Sequence, residues 1–316
     1  MSCTSAIVSD KGIKKETNQD SVCIKEAVYK KKNIVMAVVC DGMGGLEKGE
    51  LASATVIRAF MEWFDNKLPL EVEDFSMREV LDDWDSLIKR QNYQIAQYGK
   101  RNDITLGTTV SALFIMDDQY LIIHVGDSRI YKVTDKLEQI TKDHSYVAQE
   151  VELGNMTEEE AQKSPKRNAL LQCIGASATI EPQIEVGYID DKDIFILCSD
   201  GFIHELSKDE IFDALSLDEV KTDKYLEKQC RYLVDLVMSR QEKDNITVAV
   251  LKYKRDKKAS ETKKKDIKKP VFNESEKTAE LFGEPTAKLK CDKKNKKVAK
   301  IKEKKTDIRI HTEEYI

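Results

Sequence analysis

The chain reads as an α+β protein in which buried strands, paired mostly antiparallel, carry long amphipathic helices. Short apolar runs such as Ile34–Cys40, Ile194–Cys198 and Ile246–Leu251 are bounded by turn-forming residues, the pattern of strands packed on both faces. Strands succeed one another closely between residues 108 and 133, which implies antiparallel pairing. Two stretches carry apolar residues at helical spacing and are expected to lie on a sheet as core: Val56, Ile57, Phe60, Met61, Trp63 and Phe64, then Met77, Val80, Leu81, Trp84, Leu87 and Ile88.

Taken in order, a strand is expected over Ser21–Ile24 and another over Ile34–Cys40, followed by a helix over Glu50–Phe64. Ser76 and Glu79 form a capping-box signature at the start of the second helix. Strands over Thr108–Met116 and Tyr120–Val125 flank Asp117-Asp118 as a hairpin turn, and Arg129–Val133 follows. Residues 143–168 are polar, with a second capping box at Thr157 and Glu160 and a stop at Pro165. They predict a mostly helical, solvent-facing flap. Strands return at Gln183–Tyr188 and Ile194–Cys198. Helices then begin at Ser207, capped against Glu210, and at Thr222, where Leu226, Cys230, Leu233 and Val237 share one face as far as Ser239. The strand Ile246–Leu251 closes a domain spanning residues 1–253.

From Lys254 the composition changes. Residues 254–316 hold 21 basic against 12 acidic residues, a net charge of +9, and the remainder holds 31 against 45, a net charge of −14. A lysine-dense segment with isolated apolar residues buries too little surface to offset its ordering entropy, so 254–316 is expected to be a basic, disordered tail. Seven cysteines without CxxC spacing, several inside apolar runs, fit a reducing, cytoplasmic compartment. The N-terminal residues lack a secretory pattern, and no run of about 18 apolar residues occurs. Neither a membrane span nor a nucleic-acid partner is expected, and a monomer is.

The chemistry lies in aspartates at strand ends. Asp41 follows Ile34–Cys40, Asp127 follows Tyr120–Gly126, Asp200 follows Ile194–Ser199, Asp244 precedes Ile246–Leu251, and Asp20 precedes Ser21–Ile24. Carboxylates gathered at the ends of buried strands are costly without compensation, and hard divalent cations supply it. In Cys40-Asp-Gly-Met-Gly-Gly45, the glycines let the backbone approach a ligand closely, so a carboxylate and a carbonyl reach one point. Read alone, that hexapeptide also fits a tight turn.

The ordered set resembles the metal-dependent serine/threonine phosphatases of the type 2C, or PPM, family, bacterial members especially. The resemblance rests on Gly12 with Asn18-Gln-Asp20, Val39-Cys-Asp-Gly-Met-Gly-Gly45 with Gly49-Glu50, Gly107-Thr-Thr109, His124-Val-Gly-Asp-Ser-Arg-Ile-Tyr131, Asp143-His-Ser145, Leu197-Cys-Ser-Asp-Gly201 and Asp244-Asn-Ile-Thr247. It implies a four-layer α-β-β-α sandwich, two mostly antiparallel sheets flanked by helix pairs, with two Mn2+ or Mg2+ ions at one edge. By that resemblance Asp41 bridges the ions, Gly42 offers its carbonyl, Asp200 and Asp244 hold one ion, Asp20 serves the other, and Asp127 with Asp200 matches a weaker third position. Two ions about 4 Å apart lower the pKa of a shared water from about 15.7 toward neutrality. The implied reaction is one-step hydrolysis of phosphoserine or phosphothreonine in proteins, with a serine/threonine kinase and its substrates among the partners.

The chain also departs from the family. Lys15 stands where a phosphate-clasping arginine is usual, keeping charge but losing the planar fork; it is still the expected phosphate contact in catalysis. Met43 follows the bacterial pattern. His204 occupies a position that is normally acidic, and Ser164 replaces a frequent flap histidine. Lys15 and His204 motivate a second reading, a weak or silent relative that binds phosphoproteins as a regulatory module. The sequence favours a packed strand position for His124, a structural turn at the start of the flap for His144, pairing of Arg129 with a nearby acid, and, for Thr108 and Thr109, either orientation of carboxylates or plain strand preference.

Overall fold

The structure is a computed structural model that describes residues 2–29, 32–43, 48–71, 76–190, 193–216, 222–254 and 309–316. Its strands are β1 (Ser2–Asp10), β2 (Asp20–Tyr29), β3 (Lys32–Asp41), β4 (Val110–Met116), β5 (Gln119–Val125), β6 (Arg129–Val133), β7 (Leu137–Gln139), β8 (Gln183–Tyr188), β9 (Ile194–Cys198), β10 (Ile246–Lys254) and β11 (Arg309–Tyr315). Its helices are α1 (Gly49–Glu62), α2 (Leu68–Glu71), α3 (Met77–Asn102), α4 (Tyr146–Glu152), α5 (Glu158–Lys163), α6 (Asp200–Ile203), α7 (Lys208–Leu215) and α8 (Asp223–Ser239), with a π-helical turn over Trp63–Lys67 joining α1 to α2.

The strands form two antiparallel sheets, ordered β1-β10-β9-β6-β7 and β11-β2-β3-β4-β5-β8. Alternation along each strand sends residues to two different cores. Val35, Ala37 and Val39 of β3 meet Phe195, Leu197, Ala249 and Leu251 of the other sheet between the layers. On the outer face of the five-stranded sheet, Ile196, Val248 and Val250 pack against Ile211 and Leu215 of α7 and Leu226, Leu233 and Val237 of α8. On the outer face of the six-stranded sheet, Phe114 lies edge-on to Trp63 and Trp84, and Phe60 packs on Trp84 at 5.0 Å between ring centroids. Helix pair, sheet, sheet, helix pair: the four-layer α+β sandwich is observed, and double burial explains why strands of antiparallel sheets read as continuous apolar runs.

Local signals operate as expected. Ser76, Thr157 and Ser207 each accept a hydrogen bond from the backbone N–H three residues on and complete capping boxes with Glu79, Glu160 and Glu210. Asp117 adopts the left-handed conformation in the β4–β5 hairpin. Between residues 143 and 168 lie the two short helices α4 and α5.

Three elements exceed what the sequence suggested. Ser2–Asp10 forms β1, paired along its length with β10, although its polar residues mask the buried Ala6, Ile7 and Val8. Helix α3 runs beyond Ile88 to Asn102, held late by Ile95 and Gly99. The expected disordered tail requires correction at its far end: Arg309–Tyr315 adds as β11 to the free edge of β2, Thr312 opposite Lys25 and Tyr315 opposite Val22. The physical reason is local, because this segment is poor in lysine and contains Ile310, Thr312 and Tyr315, residues that favour strands. Residues 255–308, which carry most of the expected tail, lie outside the described residues, as do Gly44 and Gly45 of the glycine-rich turn.

Candidate active site

One edge of the sandwich collects the acids. The β2–β3 register sets Asp20 opposite Asp41 at the ends of neighbouring strands. From the other sheet, Asp200 opens α6 immediately beyond β9, and Asp244 lies just before β10. Their approach depends on backbone packed against backbone. A Cβ on Gly42 would collide with the carbonyls of Gln19 and Gly49, and one on Gly201 with the carbonyl of Asn245, so glycine is required at both points.

A scaffold of neutral groups fixes these turns. Thr109 Oγ1 accepts the Asp41 N–H at 2.9 Å, and Thr108 Oγ1 donates to the Asp41 carbonyl at 2.9 Å. The two threonines therefore hold the Asp41 backbone rather than its carboxylate. Asn245 Oδ1 accepts the Gln19 N–H at 3.0 Å while its Nδ2 donates to the carbonyls of Lys11 and Thr17, both at 3.0 Å. One amide thus ties the loop after β1 to the start of β10. Its role was not assigned from sequence, although Asn245 belongs to a quoted motif.

The electrostatics are those of charge without compensation. Asp20 is 4% exposed, and neither carboxylate oxygen meets a hydrogen-bond partner among the described residues. Burial pushes its carboxyl up to about 7, against the nearby hydroxyls of Thr247 and Ser199 and with added repulsion from Asp200 and Asp244. Asp41 is raised well above the usual carboxylate range by burial and then by Asp20, Asp200, Asp127 and Asp244, so it is the hub facing all four other acids. Asp127 is raised by burial, Asp200 and Asp143. Asp200 is raised by burial, with His204 opposing and Asp244 adding to the shift.

Two basic groups face this cluster. Lys15 Nζ lies 2.7 Å from Asp244 Oδ1. Burial lowers its pKa, but the hydrogen bond and charge of Asp244 outweigh that, and the net direction is upward. Lys14 is exposed. His204 Nε2 lies 3.5 Å from Asp200 Oδ2, and Nδ1 3.3 Å from Glu242 Oε2. Glu242 carries no sequence signal; it sits in an ordinary helix-to-strand turn and is identified only by its spatial neighbours.

The donors fit hard divalent cations: carboxylates and a backbone carbonyl, with buried Asp20 oxygens lacking any other partner. Among the described residues, no three His, Cys, Asp or Glu side chains form a ready-made cage. Asp244 is turned to Lys15, so a ligand shell requires that side chain to exchange its partner, together with the Asp200 oxygen that His204 leaves free and further oxygens such as the Gly42 carbonyl or water.

The remaining candidates are internally paired. Arg129 forks onto Asp143 at 2.9 and 2.7 Å and reaches the Tyr131 hydroxyl at 3.0 Å, the pairing with a nearby acid that the sequence predicts. Buried His124 has Nδ1 2.9 Å from Ser111 Oγ, and its Nε2 faces the carbonyls of Gly126 and Lys142. The Gly126 N–H donates to His144 Nδ1 at 3.3 Å, and the His144 N–H donates back to the Gly126 carbonyl.

The protein phosphatase 2C family model matches residues 12–238. The chain belongs to the protein phosphatase 2C family. A 2C-type protein phosphatase of Streptococcus pyogenes is 34% identical over 254 residues, covering 78% of this chain and 96% of that protein. Among solved structures, the serine/threonine phosphatase of S. agalactiae superposes with a TM-score of 0.69 at 30% identity, covering 80% of this chain and all of that one. The catalytic domain of the serine/threonine protein phosphatase PstP, in complex with two manganese ions, superposes at 0.64 with 29% identity, covering 79% and 97%. This 2C-type chain is accordingly a metal-dependent serine/threonine protein phosphatase.

Proposed function

We propose that this phosphatase hydrolyses phosphoserine and phosphothreonine in one step, using two Mn2+ or Mg2+ ions. Asp41, the Gly42 carbonyl, Asp200 and Asp244 would hold them, with Asp20 serving directly or through water and Asp127 with Asp200 offering a weaker third position. The observation that carries this reading is the buried Asp20 carboxylate, unpartnered and facing Asp41, Asp200 and Asp244. When bound, the ions supply a hydroxide nucleophile near neutral pH and offset charge on the phosphoryl group in transfer.

The chain's own residues do the rest. The closeness of Asp20, Asp200, Asp127 and Asp244 to Asp41 supports its reading as the ligand shared by both ions. Lys15, 29% exposed at its side chain, offers a cation at the mouth of the cluster, and it takes up a substrate phosphate by exchanging Asp244 for it. Phosphorylated proteins, including a serine/threonine kinase and its substrates, are the partners we infer, for a monomer in the cytoplasm. The similarity to bacterial serine/threonine phosphatases supports the partners. Six free cysteines among the described residues support the compartment, and no helix there is long and apolar enough to cross a membrane.

The test is hydrolysis of a phosphothreonine peptide with added Mn2+, then with excess chelator. Turnover that appears with metal and disappears with chelator is expected. A folded protein inactive under every metal condition would overturn the catalytic reading in favour of a phosphoprotein-binding module.

A further inference from the structure

Asp200 and Asp244 approach from different strands, and as like charges they repel. His204 and Glu242 lie behind them. His204 follows Asp200 by one helical turn and presents Nε2 to Asp200 Oδ2 at 3.5 Å and Nδ1 to Glu242 Oε2 at 3.3 Å. The other Glu242 oxygen, Oε1, accepts the N–H groups of Lys243 at 2.6 Å and Asp244 at 2.9 Å. The Glu242 side chain is 7% exposed and that of His204 24%, so this chain of contacts is largely shielded from competing water.

We propose that His204 and Glu242 form a cross-brace, a pair of positioning residues that fixes Asp200 relative to Asp244 for cation binding. The proposal rests on the reading of those two aspartates as ligands. By engaging one oxygen of Asp200, the imidazole restricts that carboxylate's rotation and leaves the other oxygen for a cation. Glu242 anchors the imidazole from behind and, through two backbone N–H groups, holds the turn that carries Asp244. The negative charge usual at position 204 is thereby moved one layer outward, onto Glu242. Groups that orient ligating carboxylates in this way contribute roughly 10- to 100-fold to metal affinity.

The test is Mn2+ titration by calorimetry on the full chain, comparing the parent with His204→Ala, Glu242→Ala and the double variant, and thermal unfolding in chelator as a control on the fold. A parent that binds no Mn2+ would defeat the underlying ligand reading, whatever the variants do. Given parent binding, each single variant is expected to weaken Mn2+ affinity by about tenfold. The double variant should be no weaker than the weaker single, because one brace is broken either way. Turnover should recover toward the parent value as Mn2+ approaches saturation. Unchanged affinity in both single variants, or losses that simply add, would overturn the brace. If His204→Ala fails to fold, His204→Gln, which retains a donor toward Glu242, is expected to lose less affinity than Glu242→Ala; a loss as large or larger would count against the proposal.

Discussion

Asp143 and Asp20 are both acids withdrawn from solvent, and their surroundings are opposite. Asp143, 13% exposed at its side chain, takes three contacts from the Arg129 guanidinium and one from Gln139. Burial alone would lower the Arg129 pKa, yet Asp143 and Tyr131 raise it on balance. Asp20 is buried more deeply and, among the described residues, has no cation beside it and no partner within hydrogen-bonding geometry. Its neighbours are the Thr247 and Ser199 hydroxyls and other acids. A buried carboxylate requires a positive partner or strong donors. At the Arg129 corner the partner is encoded in the chain and the result is structural. At the Asp20 edge no such partner is found among the described residues, and that difference is the one expected between a packed ion pair and the proposed cation site.

Removing the hub of the unpaired cluster should have the largest effect. Asp41→Ala is expected to abolish phosphopeptide turnover and calorimetric Mn2+ binding, while the circular dichroism spectrum and the thermal midpoint in chelator stay near the parent values. Retained turnover would refute the bridging assignment.

The paired corner should fail in the opposite way. Arg129→Met leaves Asp143 inside without its cation, and breaking one side of a buried pair costs about 3–5 kcal/mol. Since the Arg129 side chain is 29% exposed, a loss near the lower end is expected in urea unfolding. A loss below about 1 kcal/mol would reduce the pair to the level of a surface ion pair.

Protonation sharpens the same contrast. Burial and the neighbouring His144 push His124 down to about 3, even though its carbonyl contacts favour the charged form. The ring is therefore neutral in the fold, whereas in the unfolded chain it takes up a proton near pH 6.5. The unfolded state then binds more protons, so the contribution of His124 is fully present above pH 6.5 and is lost as pH falls toward about 3. Asp20, Asp41, Asp127 and Asp200, raised in the fold, act with the opposite sign. Urea unfolding in chelator at pH 7 and pH 5 should show His124→Gln losing less stability on acidification than the parent; an equal loss would remove His124 from the account.

The legibility of the molecule follows the same division. Strands β3, β9 and β10 were readable because both of their faces are buried, and aspartate after such a run stands out as an expense. The capping boxes were readable because they are local chemistry. The His204–Glu242 contact was not, since Glu242 looks like any turn residue until the fold brings β10 beside α6. Strand β1 was hidden by its serines and threonine, and the later turns of α3 by a charged surface face.

Lys15 tests how the edge receives substrate. A guanidinium grips a phosphate through two parallel N–H donors and an ammonium through a point charge. Lys15→Arg is expected to lower KM a few-fold with kcat little changed. An unchanged or higher KM would leave Lys15 as a partner of Asp244 alone.

The smallest effect should come from the outermost strand. In β11, Thr312, Glu314 and Tyr315 are exposed and Glu313 is half-buried, so Thr312, Glu314 and Tyr315 add little buried side-chain surface to the main-chain hydrogen bonds that pair the strand with β2. Such bonds contribute modestly once water is the alternative, and ordering the residues offsets much of the gain. Deleting residues 309–316 should therefore shift global stability by less than about 1 kcal/mol. Hydrogen exchange should register the change at every second amide of β2, those directed at β11, while the amides directed at β3 keep their protection. Loss of protection across both sets would show that β11 supports the whole edge leading to Asp20, and the contrast between a self-sufficient site and a dispensable strand would fail.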